Sequence, residues 1–91
     1  MGQLIIENQT NIWTIKIIDI SGRKKTCNVT NGNKSEPISL ASGSYSVTVT
    51  INFQDDRKIE KVQITIYEGC ATIVILGLPP SQPVVKVVKM I

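Results

Sequence analysis

The sequence predicts an all-β protein, and three observations lead to that prediction. Along Ser44–Phe53 the side chains alternate between apolar or aromatic types and Ser, Thr or Asn, which puts every second residue in a core. Ile, Val and Thr dominate the composition, as is typical of pleated, half-buried surfaces. Short apolar segments follow one another at spacings of about 8–12 residues with turn signals between them. We therefore expect an antiparallel β-sandwich of about seven strands, with an Ig-like or prealbumin-like Greek key.

Polar turns divide the first half of the chain into short strands. Asn8–Asn11, Ser21-Gly22 and Asn31–Lys34 are rich in residues that favour turns through local side-chain bonds or positive φ. The predicted strands are Gln3–Glu7, Ile12–Ile20, Lys24–Thr30, Ile38–Leu40, Ser44–Phe53, Lys58–Tyr67 together with Cys70–Leu76, and Val84–Met90.

The strand Ile12–Ile20 changes parity along its length. Trp13, Ile15 and Ile17 share one face and Ile18 and Ile20 share the other. This indicates a bulge near Ile17-Ile18, a strand that changes sheets at a corner, or a strand covered on both faces. The strand Lys24–Thr30 is more polar and is predicted to lie at a sheet edge, where lysines discourage unwanted pairing.

The stretch from Leu40 to Leu76 organises the rest of the chain. Gln54–Arg57 is predicted as a polar hairpin tip and Glu68-Gly69 as a second tight hairpin, with Gly69 at positive φ. Cys70–Leu76 is apolar on both faces, which predicts a central strand covered on both sides or half-covered by a partner. The predicted core is Ile15, Ile17, Tyr45, Val47, Val49, Ile51, Val62, Ile64, Ile66, Ile73 and Ile75.

Residues 1–91 are predicted to form a single domain, since a chain of this length is one folding unit. A proline-rich segment, 77–83, links the body to a C-terminal strand, 84–91. In one interpretation that strand completes the sandwich as an edge, with Lys86 and Lys89 guarding it. In the other it pairs with an edge of another copy or of a partner, and Val85 and Val87 fill pockets there.

The formal net charge of +3 is mildly basic, and Arg23-Lys24-Lys25 is the one basic run. It is either a solvated turn or a contact for phosphate or an acidic partner. Aromatic residues that could stack on bases make up 4% of the chain. That scarcity disfavours nucleic acid as a partner.

Several kinds of chemistry lack their residues in this sequence. It has no histidine, which removes the usual general base and the commonest metal ligand. Cys27 and Cys70 have no zinc-site spacing; they either form a disulfide or remain two buried thiols. Asp55 and Asp56 either solubilise a hairpin tip or contribute to a calcium site. We expect no catalytic residue, no metal and no cofactor.

The chain begins without a secretory signal pattern and has no apolar run of the ~20 residues that a transmembrane helix needs. We therefore expect no membrane span. The location is expected to be cytoplasmic unless the chain is a processed extracellular domain.

The stretch Leu40–Val47 has the pattern L-x-x-G-x-Y-x-V. With the glycine turn at Gly69 and the following strand, it resembles the carboxypeptidase regulatory-like (transthyretin-like) and PEGA β-sandwich domains over residues 40–76. It departs from PEGA because Gln54–Arg57 replaces the expected G-Y/F-x-P stretch. In such corners the tyrosine hydroxyl, here that of Tyr45, bonds back to backbone a few residues upstream.

The resemblance implies a non-catalytic module for protein–protein interaction or structural assembly. The alternatives are a small-molecule or carbohydrate-binding module, for which Trp13 and Tyr67 are the candidate aromatic platforms, and a weak nucleic-acid binder that uses residues 23–25.

Overall fold

The computed structural model describes residues 1–11, 13–77 and 82–90. Within these residues the chain forms strands and no helix, so the all-β prediction is confirmed. The strands are β1 (Gly2–Gln9), β2 (Thr14–Ile20), β3 (Arg23–Val29), β4 (Ile38–Leu40), β5 (Gly43–Phe53), β6 (Asp56–Ile66), β7 (Cys70–Gly77) and β8 (Val84–Lys89). No helix that could span a membrane occurs in these three ranges.

The strands form two four-stranded sheets that pack face to face. Sheet A has the order β4-β1-β7-β8, and sheet B has the order β3-β2-β5-β6. Neighbouring strands are antiparallel except β1 and β7, which run parallel. The prediction of an antiparallel sandwich is therefore wrong for this one pair of strands. Because β1 and β7 are far apart in sequence, no hairpin dictates their relative direction.

The core lies between the inner faces of the two sheets, the faces that each sheet turns toward the other. Of the predicted core residues, six are buried there: Ile15, Val47, Val49, Ile51, Ile64 and Ile66. Tyr45 and Val62 are partly buried and pack against this cluster. The other buried aliphatic residues of the core are Leu4, Ile6, Ile18, Ile20, Val29, Val74 and Leu76.

The prediction chose the wrong face of β7. Val74 and Leu76 are buried in the core, whereas Ile73 and Ile75 are half-buried on the outer face. Both faces of this strand are aliphatic, so alternation alone could not identify the one that sheet B covers.

Of the alternatives for the second strand, the structure shows the bulge. The pairing register of β2 shifts between Ile15 and Ile17 against both of its neighbours. Because β2 has one more residue than β5 at this point, Ile15, Ile18 and Ile20 all lie on the inner face. Ile17 consequently lies outside the core, and its assignment to the core is wrong.

Glu68-Gly69 joins two sheets rather than two strands of one hairpin. Gly69 has the expected positive φ of 69°, but β6 belongs to sheet B and β7 to sheet A. The residues grouped as one unit, 58–67 with 70–76, are therefore separate strands, and the described residues contain eight strands rather than about seven.

The tyrosine corner is present as predicted. The Tyr45 hydroxyl donates a hydrogen bond to the carbonyl oxygen of Ala41, 2.6 Å away. This bond holds the entry into β5 just after β4, and so it fixes the crossing from sheet A to sheet B.

A buried polar cluster ties the end of β1 to the β1–β2 connection and to the end of β3. Asn8 Nδ2 donates to the carbonyl oxygens of Trp13 and Val29, each at 2.8 Å. Asn8 Oδ1 accepts from the backbone amide and the hydroxyl of Thr10, at 3.0 and 2.7 Å. The local side-chain to backbone bonding predicted for residues 8–11 is confirmed here.

The C-terminal segment returns as a strand at the edge of sheet A, where β8 pairs with β7. The start predicted for the second strand, at Ile12, and most of the proline-rich segment 77–83 lie outside the described residues.

Candidate functional site

The basic run lies on an edge strand rather than in a turn. Arg23, Lys24 and Lys25 are the first three residues of β3, and all three are exposed. The turn itself is Ser21-Gly22, whose φ values of 48° and 96° suit the tight connection between β2 and β3. As predicted, β3 lies at the edge of its sheet.

The three cations do not share a face. Arg23 lies opposite Ile20 and Lys25 opposite Ile18, and both isoleucines are buried in the core. Directly opposed residues of an antiparallel pair project from the same face, so Arg23 and Lys25 lie on the inner face of sheet B. Lys24 lies opposite Asp19, on the outer face.

The sandwich is open along the side where β3 and β4 form the two sheet edges. A cleft of about 310 Å³ there is lined by Ile18, Lys25, Cys27, Val29 and Ile38, among others. A second, wider cleft of about 740 Å³ continues along the same side and is bordered by Ile20, Arg23, Leu40 and Tyr45. Both volumes are in the usual range for small-molecule sites.

Cys27 lies in the smaller cleft, half-buried against the core. Its thiol is 3.8 Å from the carbonyl oxygen of Ile15. Burial raises the pKa of the Cys27 thiol, and the nearby Lys16 ammonium opposes this shift only in part. Cys27 and Cys70 are both free thiols in this structure, on the edge of sheet B and in the centre of sheet A respectively.

The other predicted contact residues lie on the opposite side of the molecule. Val85 and Val87 are on β8, at the end of sheet A away from β4, with 41% and 47% of their surface exposed. They oppose Val74 and Thr72 on β7 and so belong to the inner face, but they extend beyond the part of that face that sheet B covers. The basic residues and the valines therefore form two separate surfaces.

Residues considered for metal or sugar binding do not converge on a site. Asp55 and Asp56 are exposed at the β5–β6 hairpin. Within residues 1–11, 13–77 and 82–90, no group of three or more acidic or cysteine side chains could hold a metal ion. Trp13 packs partly buried against the core, whereas Tyr67 is 51% exposed beyond the end of β6.

Sequence reasoning did not find the cleft between β3 and β4. The signal that could have found it is the alternation along β3 itself, since Arg23, Lys25, Cys27 and Val29 fall on one parity. That alternation places two cations on the same face of the strand as a core residue.

Comparison of the chain with protein-family models, with curated proteins and with solved structures finds no match.

Proposed function

We propose that this chain is a non-catalytic β-sandwich module that associates through the free edge of β8, with a second copy of the same chain as its partner. The observation that carries the proposal is the exposure of four valines on that one strand. Val84, Val85, Val87 and Val88 have 57%, 41%, 47% and 42% of their surface exposed. Apolar surface that remains in water on a sheet edge is a template for strand pairing.

The other three sheet edges carry features that oppose pairing. β4 has three residues, and beyond it the segment 32–35 bonds to β1, through Asn8 N to Asn33 O at 2.9 Å and Ser35 N to Ile6 O at 2.8 Å. β3 carries three cations and faces the β2 bulge. β6 is rich in charged side chains along its first half. Short length, bulges and charge are the usual protection of an edge. β8 carries Lys86 and Lys89, but its other four residues are exposed valines, so apolar surface predominates on this edge.

The sequence of β8 is compatible with antiparallel pairing about a two-fold axis perpendicular to sheet A. If Val87 lies on the axis, it faces its own copy, and each Lys86 faces Val88 of the second copy. If Lys86 lies on the axis, two lysines oppose each other, which is destabilising. The first register avoids that repulsion, and the four-stranded sheet A becomes a continuous eight-stranded sheet.

Strand order supports the prealbumin-like form of the sandwich over the Ig-like one. In an Ig sandwich the first two strands belong to the same sheet. Here β1 is in sheet A and β2 is in sheet B. Of the two Greek keys, we therefore propose the prealbumin-like one.

Val87→Lys tests the association. A lysine at this position would face its own copy, and we expect the mass measured by light scattering to fall from dimer to monomer across a concentration series. The melting temperature of the monomer should hardly change, because Val87 is already half-exposed. Ile59→Lys is the matched control, since Ile59 is 52% exposed on β6 of the other sheet, and it should leave the mass unchanged.

A parent chain that is monomeric at all concentrations would contradict self-pairing. Dimers that persist in Val87→Lys would show that another surface holds them.

A further inference from the structure

The open side of the sandwich combines an apolar floor with inward-directed cations. The floor consists of the half-buried Ile38 and Leu40 of β4 and Tyr45 of β5, whereas Ile18 and Ile20 of sheet B are almost fully buried in the core. Arg23 and Lys25 come from the inner face of β3, directly opposite those two buried isoleucines. Two inner-face positions, which are usually apolar in a sandwich, thus carry a guanidinium group and an ammonium group.

Positive charge borders this cleft. Arg23, Lys24, Lys25 and Lys34 lie around it together with one carboxylate, Glu36. Lys34 is paired with Glu7, with 3.6 Å between Nζ and Oε1, and Lys24 lies opposite Asp19. Arg23 and Lys25 instead lie opposite isoleucines, so they are the two cations best placed to bind an anion.

We propose that this cleft binds a single-chain aliphatic carboxylate, with the alkyl chain on the apolar floor and the carboxylate between Arg23 and Lys25. The guanidinium group can hold a carboxylate through two parallel hydrogen bonds, and the alkyl chain removes apolar floor surface from water. A small hydrophilic anion would use only the cations. The proposal does not depend on the pairing of β8, which lies on the other side of the molecule.

Inward-directed charges on an edge strand also discourage unwanted pairing, and ligand binding must be distinguished from that role. Edge protection applies to either edge of sheet B, whereas carboxylate binding depends on Arg23 and Lys25, which border the cleft. Lys58 is an exposed cation on the inner face of the other edge strand, β6, opposite the buried Ile51, and it is not part of the cleft lining. The chain therefore contains its own matched control.

The experiment is titration of the full chain with decanoate below its micellar concentration, followed by isothermal calorimetry and by amide chemical shifts. We expect binding that strengthens from hexanoate to decanoate, with shifts at β3, β4 and Ile18. The double variant Arg23→Gln with Lys25→Gln should bind about tenfold more weakly or worse, since two charge-assisted contacts are removed. Lys58→Gln should bind like the parent, and so should Val87→Lys, which separates this proposal from that for β8.

Three results would overturn the proposal. Equal losses in Lys58→Gln and in the double variant would indicate general charge attraction. Equal binding of decanol would show that the carboxylate is not recognised. Shifts confined to β8, or binding of an acidic peptide without binding of decanoate, would assign the cleft a different role.

Discussion

Asn8 is the side chain whose replacement should reveal most about how the sandwich is held together. It is fully buried and makes four hydrogen bonds, two donated and two accepted. Its partners belong to three places in the chain, Thr10, Trp13 and Val29. Asn8→Ala removes all four bonds and leaves a small cavity.

The cost follows from the groups that lose their partner. The Thr10 hydroxyl can turn to the Trp13 carbonyl oxygen, 3.1 Å away, so that carbonyl keeps a donor. The Thr10 amide and the Val29 carbonyl lose the Asn8 bond, and each buried group left without a partner costs about 1–3 kcal/mol. We expect Asn8→Ala to lower the free energy of unfolding by about 4 kcal/mol. That is a large fraction of the roughly 5–14 kcal/mol typical of a domain of this size.

Urea denaturation followed by circular dichroism measures this loss. The midpoint should fall on the order of 2 M, or the variant should fail to fold. Asn28→Ala is the control, because Asn28 is exposed and its side chain accepts one bond, from Lys16 Nζ at 3.1 Å; its change should be within about 0.5 kcal/mol. Asn8→Asp should behave like Asn8→Ala, since a carboxylate cannot donate to two carbonyls. Equal midpoints for Asn8→Ala and Asn28→Ala would refute the reasoning.

Two further predictions concern β7 and the turn before it. Val74→Ala should lower the free energy of unfolding by about 1–4 kcal/mol through lost burial and a cavity. Ile73→Ala should lower it by less in the same denaturation assay, although isoleucine is the larger residue. The reverse order would mean that the other face of β7 is the core face. The Glu68 carboxylate accepts hydrogen bonds from the N-terminal amine of Met1 and from the hydroxyl of Ser42, which, with the charge of the amine, hold the pKa of Glu68 below its usual range. A lowered pKa in the folded state contributes stability above the unfolded-state pKa, and that stability is lost as pH falls through the folded-state value. Glu68→Gln should therefore melt slightly lower than the parent at neutral pH and equal to it in acid, and a difference in melting temperature that does not change with pH would contradict this.

The sequence by itself determined the fold class and most of the strands. Alternation along Ser44–Phe53 identified the inner face of β5 because that strand has one polar face and one apolar face. The parity change near Ile17 indicated a bulge as one of three alternatives, and Leu40–Val47 predicted the tyrosine corner. Each of these is a local property, since the residues that decide it are neighbours in the chain.

Only the tertiary structure decided which strands lie in which sheet. Glu68-Gly69 has the chemistry of a tight turn whether the chain doubles back in one sheet or crosses to the other, and here it crosses. The same is true of the two aliphatic faces of β7, where coverage by sheet B buries Val74 and leaves Ile73 half-exposed. The cleft between β3 and β4 likewise exists because these consecutive strands form the edges of two different sheets that face each other. Local patterning fixes which residues can be buried, whereas the packing of the two sheets selects which of them are.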